Sequence, residues 1–460
     1  MIKNDNDCIL ILKNLLKKID YKFILRNLIN KYNIKIFNDF SVMEFYINQL
    51  HISNKEIFKF LCVGKKIDKN DLLKYITEVE YKSLLNSEFI LENNAVVQTN
   101  NLVVVIYNNL FILSEIPPQY KNCINKNTEI YIGPDSIELS KNIEFTKNST
   151  VLDLCSGTGI QGMIAAKYSK KVIAVEINKK AKKILETNIK LNDLEDVMEV
   201  VSGDLYSKIG NKTFDYIYVN PPFMPIPKNL NFPICGDGGE DGLQIIKKIL
   251  LNLNKFLNEN GTFIMFCQCL GQNDNLFLNN LLNRISSDFK FSITNIIYSR
   301  ILWKYYIELF TDYIFNYNEL DLDKNYVKYN FLNLGYNEKN TYFYTVLCKI
   351  EKNHTCNIKT IDLYNKWNID DRATVLINKK NLLVINNQYY LEINKKRILV
   401  NKEIVDIIKY IEKGYTIDEI SSELYEKYKN KYIKFGISRF TQRILDLYVE
   451  LEKISVIKKY

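Results

Sequence analysis

Apolar residues recur along this chain in changing rhythms. Up to about residue 87 they fall at helical spacing. Ile9, Leu10, Leu12, Leu15, Leu16 and Ile19 form one such series, and Ile57, Phe58, Phe60 and Leu61 form another apolar face. From Phe89 to Ile116 the rhythm shortens. Val96-Val97, 102–107 and 110–113 are short β-rich runs, separated by Thr99-Asn100-Asn101 and Asn108-Asn109, and asparagine favours turns. Helices followed by a small antiparallel ribbon predict a winged-helix-like module over residues 1–127, punctuated by Pro117-Pro118.

Residues 128–352 alternate strand and helix. Strands are predicted at 151–154, 172–175, 198–201, 216–219 and 262–267, with helices at 159–167 and 181–191. Alternation of this kind predicts an α/β fold with a parallel, doubly wound, Rossmann-like sheet. Residues 291–297 and 342–350 supply the last two strands. Between them lies an aromatic-rich insertion, roughly 301–340, whose Trp303, Tyr305, Tyr306 and Phe310 read as core rather than ligand platform. Residues 353–460 form a third unit. Three short strands at 382–385, 389–393 and 397–400 precede a helix lined by Ile404, Ile407, Ile408 and Ile411. Thr416-Ile417-Asp418-Glu419 is a capping box that opens the next helix, with Ile417, Ile420 and Leu424 on one face. A last helix, about 439–452, runs into Ile454-Ser455-Val456-Ile457.

Composition narrows the classes of function. Two histidines, His51 and His354, give a Ser-His-Asp triad or a His-rich metal site almost no material. His51 precedes the helix signal Ser53-Asn54-Lys55-Glu56 and reads as surface; His354 reads as linker. The nine cysteines include no CxxC pair, so neither a disulfide framework nor a zinc site is predicted. Cys267-Gln268-Cys269 extends a buried strand and reads as inert core thiol. No apolar run approaches the ~18 residues of a membrane span. Nothing behind Met1-Ile2-Lys3-Asn4-Asp5 resembles a signal peptide, so a cytoplasmic protein without membrane contact is expected. The net charge is +9, and residues 351–460 carry 21 Lys and Arg against 15 Asp and Glu, a mild bias that permits a nucleic-acid or acidic partner without requiring one. Nothing in the sequence signals an oligomeric state.

Two segments carry chemistry. The first is Asp153-Leu154-Cys155-Ser156-Gly157-Thr158-Gly159, a glycine-rich turn between a strand and a helix. The second is Asn220-Pro221-Pro222-Phe223, which follows the apolar run Tyr216-Ile217-Tyr218-Val219 and lies 61 residues beyond Gly159. Gly157 and Gly159 stand where the backbone must turn sharply beside a ligand. The turn reads D-x-x-x-G-x-G rather than the G-x-G-x-x-G of a nicotinamide- or flavin-binding domain. Glu176 ends the next strand 17 residues after Gly159, and Asp204 follows the third strand. In this order the residues resemble a class I S-adenosylmethionine methyltransferase that modifies a planar nitrogen. The resemblance implies S-adenosylmethionine as cofactor, held by Asp153, Cys155, Gly157, Gly159, Glu176 and Asp204. Asp153 would face the methionine ammonium, Glu176 the ribose hydroxyls and Asp204 the adenine amine, with the helix N-terminus toward the cofactor carboxylate. Asn220, Pro221, Pro222 and Phe223 would form the acceptor site. The Asn220 side-chain carbonyl and the Pro221 carbonyl accept both protons of a substrate NH₂, Pro222 forces the extended turn, and Phe223 stacks on the planar group. No metal is called for, because a sulfonium is already a strong electrophile.

Two further segments resemble the HemK/PrmC glutamine N5-methyltransferases. Gly133-Pro134-Asp135-Ser136-Ile137-Glu138-Leu139 lies where that family has a Pro-initiated segment covering the cofactor. Gly238-Gly239-Glu240-Asp241-Gly242-Leu243 lies where it has a Gly-Gly-x-Asp-Gly-Leu segment. That family usually carries Tyr in place of Phe223; phenylalanine there resembles RsmC-type guanine-N2 rRNA methyltransferases and the broader small-domain group. The C-terminal unit is patterned like PqqD-like peptide-recognition domains and winged helices. Three functions follow as alternatives. The first is methylation of a glutamine-like amide in a protein or peptide. The second is methylation of an exocyclic amine in rRNA, tRNA or DNA. In the third, the flanking modules carry the main role, as a tailoring or regulatory binder of a peptide or metabolite.

Overall fold

The computed structural model describes residues 6–32, 40–50, 54–117, 128–144, 146–272, 275–317, 323–337, 340–362, 372–376, 381–385, 388–393, 396–428, 436–453 and 456–459. His51, Ser53, Pro118 and Ile454-Ser455 lie outside them.

The helical spacing at the front becomes α1 (Asn6–Lys18), α2 (Tyr21–Tyr32), α3 (Phe40–Asn48) and α4 (Lys55–Val63). Next come β1 (Ile67–Asp68), α5 (Lys69–Leu72), α6 (Glu78–Asn86), β2 (Ile90–Asn93) and β3 (Val96–Thr99), whose strands pair antiparallel in the order β1-β3-β2. β4 (Leu102–Tyr107) and β5 (Leu110–Glu115) make a separate hairpin. Its two loop residues, Asn108 and Asn109, both take positive φ (46° and 64°), the conformation a two-residue turn of this hand needs and asparagine tolerates.

The central domain runs α7 (Pro134–Lys141), β6 (Thr150–Leu154), α8 (Ile160–Ala166), β7 (Lys171–Glu176), α9 (Lys179–Leu191), β8 (Met198–Ser202) and β9 (Phe214–Val219). It continues through α10 (Gln244–Phe256), β10 (Leu257–Gln272), β11 (Asn275–Leu276), α11 (Asn279–Phe289) and β12 (Ser292–Leu302). It closes with α12 (Trp303–Tyr317), α13 (Lys324–Leu332), β13 (Thr341–Glu351) and β14 (Asn357–Asp362). The sheet order is β14-β12-β13-β10-β9-β6-β7-β8. Strands β6 to β10 are parallel and β13 enters antiparallel between β10 and β12. The winding reverses between β6 and β9, and in such sheets ligands bind beyond the strand ends at that point. Leu154 and Val219 are paired there, so the glycine turn and Asn220 leave neighbouring strands side by side.

The expected boundary at 352 moves. β14 pairs with β12 from Asn357 to Asp362 and so belongs to the central sheet. As an edge strand it exposes four of its six positions, which gives its sequence the polar look of a linker. The 301–340 aromatics are core: Trp303 is fully buried and stacks on Tyr306 with ring centroids 5.2 Å apart.

The last unit comprises β15 (Ala373–Val375), β16 (Leu382–Ile385), β17 (Gln388–Ile393), β18 (Lys396–Val400), α14 (Lys402–Glu412), α15 (Ile417–Tyr428), α16 (Gly436–Lys453) and β19 (Ile457–Lys459). β16, β17 and β18 form an antiparallel meander, and β15 pairs with β19. Thr416 and Glu419 exchange the two bonds of the capping box, at 2.7 and 3.2 Å. Leu391, Ile407, Ile420 and Tyr448 join one continuous core with Phe263 and Ile350 of the central sheet.

The β4–β5 hairpin is fastened to the central domain by α9. Asn188 accepts from Leu113 N (2.7 Å) and donates to Leu113 O (3.0 Å); Asn192 does the same for Phe111, at 2.9 and 2.7 Å. Two asparagines one turn apart thus pair with alternate residues of β5, because the rise of about 6 Å over four helical residues matches about 6.7 Å over two strand residues.

Candidate active site

Beyond Leu154 the chain enters a run of left-handed residues: Cys155 (φ 55°), Gly157 (φ 54°) and Gly159 (φ 82°). The two glycines are needed for different reasons. A Cβ at Gly157 would meet no atom within 4 Å, so only its backbone conformation calls for glycine. At Gly159 a Cβ would overlap Leu185 Cδ1 on α9. The turn is closed by short bonds. Ser156 Oγ donates to Asp153 O (2.8 Å), Gly159 N to Ser156 O (2.7 Å) and Gly157 N to Glu176 Oε2 (2.8 Å).

A cleft opens over this turn. Cys155, Gly157, Glu176, Asp204, Asn220 and Pro222 line it, so it joins six of the ten expected cofactor and acceptor residues in one space, with Gly159 outside the lining. Glu176 is buried, and its other oxygen accepts from Asn178 N at 2.7 Å. Burial pushes its carboxyl above the ordinary carboxylate range, opposed by these N–H bonds. The carboxylate keeps acceptor capacity for a further donor. Burial also pushes the Cys155 thiol up, away from thiolate chemistry.

Asp153 is placed differently from expectation. It is 1% exposed, does not line the cleft, and its Oδ2 accepts from Gly162 N (3.0 Å) in the first turn of α8. A direct contact with an ammonium group does not fit that placement: the carboxylate is spent on fastening the helix under the turn. Burial raises its carboxyl to about 7.

On the acceptor side, Asn220 Nδ2 donates to Asp135 Oδ2 (2.6 Å) and to Ser136 Oγ (3.1 Å). Its Oδ1 is buried and has no hydrogen-bond partner. Buried polar atoms are nearly always paired, so an orphaned acceptor in a cleft marks a place for an incoming donor. Pro221 and Phe223 do not line the cleft. Phe223 instead packs between the main core and the aromatic cluster of the insertion, which corrects its expected role as a stacking platform.

The loop that follows is fastened by the glycine-rich segment. Met224 N donates to Gly236 O (2.9 Å), Gly238 N to Met224 O (2.9 Å) and Ile226 N to Gly239 O (2.9 Å). Gly242 has φ 71°, and a Cβ there would overlap the Phe223 carbonyl oxygen. Asp241 Oδ1 accepts from Leu243 N (2.9 Å), at the start of α10.

Sequence reasoning missed Glu115 and Glu129. Buried Glu115 accepts from Glu129 N and Ile130 N (3.0 Å each) and pairs with Lys180, which holds residues 129–131 along the cleft wall. Asn178 Nδ2 donates to Glu129 Oε2 at 2.7 Å. No spacing rule links residues so far apart in sequence. Asp135 and Ser136 did lie in a quoted segment, but nothing there pointed to Asn220. Among the described residues no group of three or more His, Cys, Asp or Glu side chains could hold a metal, and no helix is long and apolar enough to cross a membrane.

Residues 135–287 match the family model described as Methyltransferase small domain. A Methanocaldococcus jannaschii protein named as a protein N5-glutamine methyltransferase is 37% identical over 134 residues, 28% of this chain and 66% of that one. The ribosomal protein uL3 glutamine methyltransferase of Francisella tularensis is 30% identical over 127 residues, 25% of this chain and 40% of that one. The chain thus spans less than two thirds of the length of these relatives. Among solved structures, the tRNA m1G37 methyltransferase of M. jannaschii superposes with a TM-score of 0.32 at 15% identity, over 55% of this chain and 57% of that one, too loosely to bear on substrate. The matched segment is a class I S-adenosylmethionine-dependent methyltransferase domain.

Proposed function

We propose that this chain moves the methyl group of S-adenosylmethionine onto the side-chain amide nitrogen of a glutamine in a protein, acting in the cytoplasm. The observation that carries the reading is the Asn220 amide. Both its N–H bonds point to Asp135 and Ser136, and its oxygen is left as a buried acceptor in the cleft it shares with the cofactor turn.

The residues present fit the cofactor. Space is open at Gly157, and of the acids lining the cleft Glu176 would accept from a ribose hydroxyl and Asp204 from an adenine amine. S-adenosylmethionine supplies a methyl carbon made electrophilic by a sulfonium. Asn220 Oδ1, the acceptor left unpaired in the cleft, takes a substrate N–H. An amide nitrogen is a poor nucleophile because its lone pair is conjugated. Holding an N–H bond at Asn220 fixes the orientation of the amide and sets that lone pair toward the methyl group, so positioning does most of the work. Transfer would exchange the S–CH₃ bond for an N–CH₃ bond and leave one acidic surplus proton on nitrogen, which would pass to solvent without a strong base in the site.

Both named relatives are called glutamine methyltransferases, which supports a protein amide as acceptor. So does the charge of one helix in the flanking module. Its order α4-β1-α5-α6-β2-β3, with sheet order β1-β3-β2, supports reading it as a winged helix. Its third helix, α6, carries Glu78 and Glu80 against a single Lys82, the wrong balance for a phosphate backbone. The test is to incubate the protein with methyl-tritiated S-adenosylmethionine and an extract of cells lacking its gene. Label that becomes acid-soluble only after protease, on a glutamine one methylene heavier by mass spectrometry, supports the reading. Label released only by nuclease means a base methyltransferase.

A further inference from the structure

A side-chain amide has two nearly isosteric orientations, related by a flip of its terminal group. In one, Asn220 offers its oxygen to the acceptor and holds a substrate N–H. In the other it offers an NH₂, which repels a substrate NH₂ and attracts a carboxylate. Side-chain geometry alone leaves this choice open, and the neighbours of Asn220 settle it. Asp135 presents a carboxylate oxygen 2.6 Å from Nδ2, and a carboxylate only accepts. Ser136 Oγ takes the second N–H at 3.1 Å. A flipped Asn220 would lose the charge-assisted bond to Asp135 and set its own oxygen against that carboxylate, whereas the Ser136 hydroxyl can accept from either N–H or donate to the oxygen and so serves both orientations.

The pair is itself held in place. Pro134 sits at the start of α7, where its fixed φ suits the first helical turn. Gly133 leaves room for the Asp135 carboxylate to fold back: a Cβ there would lie 3.2 Å from Asp135 Cγ. Gln161 Nε2 donates to Ser136 O (3.2 Å) and so ties α7 to α8, the helix behind the cofactor turn. Asp135 and Ser136 both line the cleft with Asn220.

We infer that Asp135 is the positioning residue that locks the Asn220 amide in one orientation, with Ser136 bracing the same N–H₂ group, and that this lock makes the site select a glutamine amide over a glutamate carboxylate. The inference rests on the glutamine reading above. It adds a property that reading does not require: discrimination between two side chains of almost the same shape, decided by a residue acting through Asn220.

The experiment uses the full chain and a pair of synthetic peptides. One spans the glutamine labelled in the extract assay, and the other carries Glu in its place. We measure kcat and KM for the first, Ki for the second and the Kd of S-adenosylmethionine by calorimetry. For Asp135→Asn, kcat falls about tenfold to a hundredfold, as loss of a charged hydrogen bond implies, with cofactor Kd within about twofold. The Glu peptide then inhibits about tenfold more strongly, because a released Asn220 offers it an NH₂. Ser136→Ala lowers kcat by about threefold to fivefold and leaves Glu-peptide inhibition within about twofold, because its hydroxyl serves either orientation of Asn220. Removing a carboxylate could favour an acidic peptide by bulk electrostatics alone, so Asp135→Asn is repeated in an Asn220→Ala background. There the gain in Glu-peptide binding disappears. An equal gain in both backgrounds overturns the lock and leaves glutamine methylation standing. If the wild-type protein labels no glutamine, the parent reading fails and the selectivity falls with it.

Discussion

Between Asp153 and Glu176 the chain closes largely on itself, with one bond from Asn188 on α9 to Thr158 O: Ser156 bonds Asp153, Gly159 bonds Ser156, and Glu176 reaches back to Gly157. The turn at Asn220 is held from outside. Asp135 and Ser136 lie 85 and 84 residues earlier, segment 236–242 fastens the loop from ahead, and the insertion beyond residue 300 packs on Phe223. A turn closed by its neighbours is specified by a short stretch of sequence. A turn held by remote segments has a geometry that depends on the whole domain, which also lets those segments change the acceptor without touching the cofactor.

The widest separation of the two turns is expected from a pair of variants. Asn220→Ala removes the orphaned acceptor and lowers methyl transfer by roughly a hundredfold to a thousandfold, the usual cost of a lost transition-state hydrogen bond, with cofactor Kd little changed. Glu176→Ala does the reverse and weakens cofactor binding first. Calorimetry and tritium transfer on both proteins check this, and near-wild-type turnover by Asn220→Ala would end the acceptor assignment. Next, Gly242→Ala puts a side chain against the Phe223 carbonyl at a φ of 71°. Transfer should drop at least about tenfold while cofactor affinity holds. If both fell together, the two turns would not be independent.

Asp153→Asn probes the closed turn. The Asp153 carboxyl sits at about 7 in the fold, against about 4 in an unfolded chain. From pH 4 to 7 the native state holds a proton that the unfolded chain has lost, so this group's contribution is full below pH 4 and is lost as pH rises through 7. Asparagine keeps the acceptor for Gly162 and never ionises. Relative to wild type, the variant should gain stability between pH 5 and 8, on the order of 1 to 3 kcal/mol. Denaturant midpoints at the two pH values test it, and a difference that does not change with pH rules it out. The smallest effect is Cys155→Gly. A left-handed φ costs a side chain about 1 to 2 kcal/mol, and glycine's extra freedom in the unfolded chain gives back about 0.5 to 1. The variant should be more stable by up to about 1 kcal/mol, read from the same midpoints; a loss would mean that the thiol packing outweighs the backbone.

The strands that end at the cleft were legible because each is a short apolar run between turn signals: 151–154 against Thr150–Leu154, and 216–219 against Phe214–Val219. β10 is longer than its apolar core, 262–267, because β13 continues to pair with it as far as Gln272. β14 was illegible because one more exposed strand on an edge needs little apolar sequence. Of the cleft, Gly157, Glu176 and Asn220 could be read from spacing. The burial of Asp153, the withdrawal of Phe223 and the hold of Asp135 on Asn220 depend on where separate elements pack, and periodicity carries no record of that.

The two asparagines of α9 carry a consequence for descent. Asn188 bonds Leu113 in the front hairpin and also donates to the Thr158 carbonyl inside the cofactor turn, at 2.9 Å. One amide therefore belongs to both modules at once. Lineages that exchange domains by recombination treat such modules as cassettes, and this one cannot be cut cleanly. A new front half spliced at residue 127 would inherit a helix shaped to read a strand it no longer has. The two halves are expected to have travelled together.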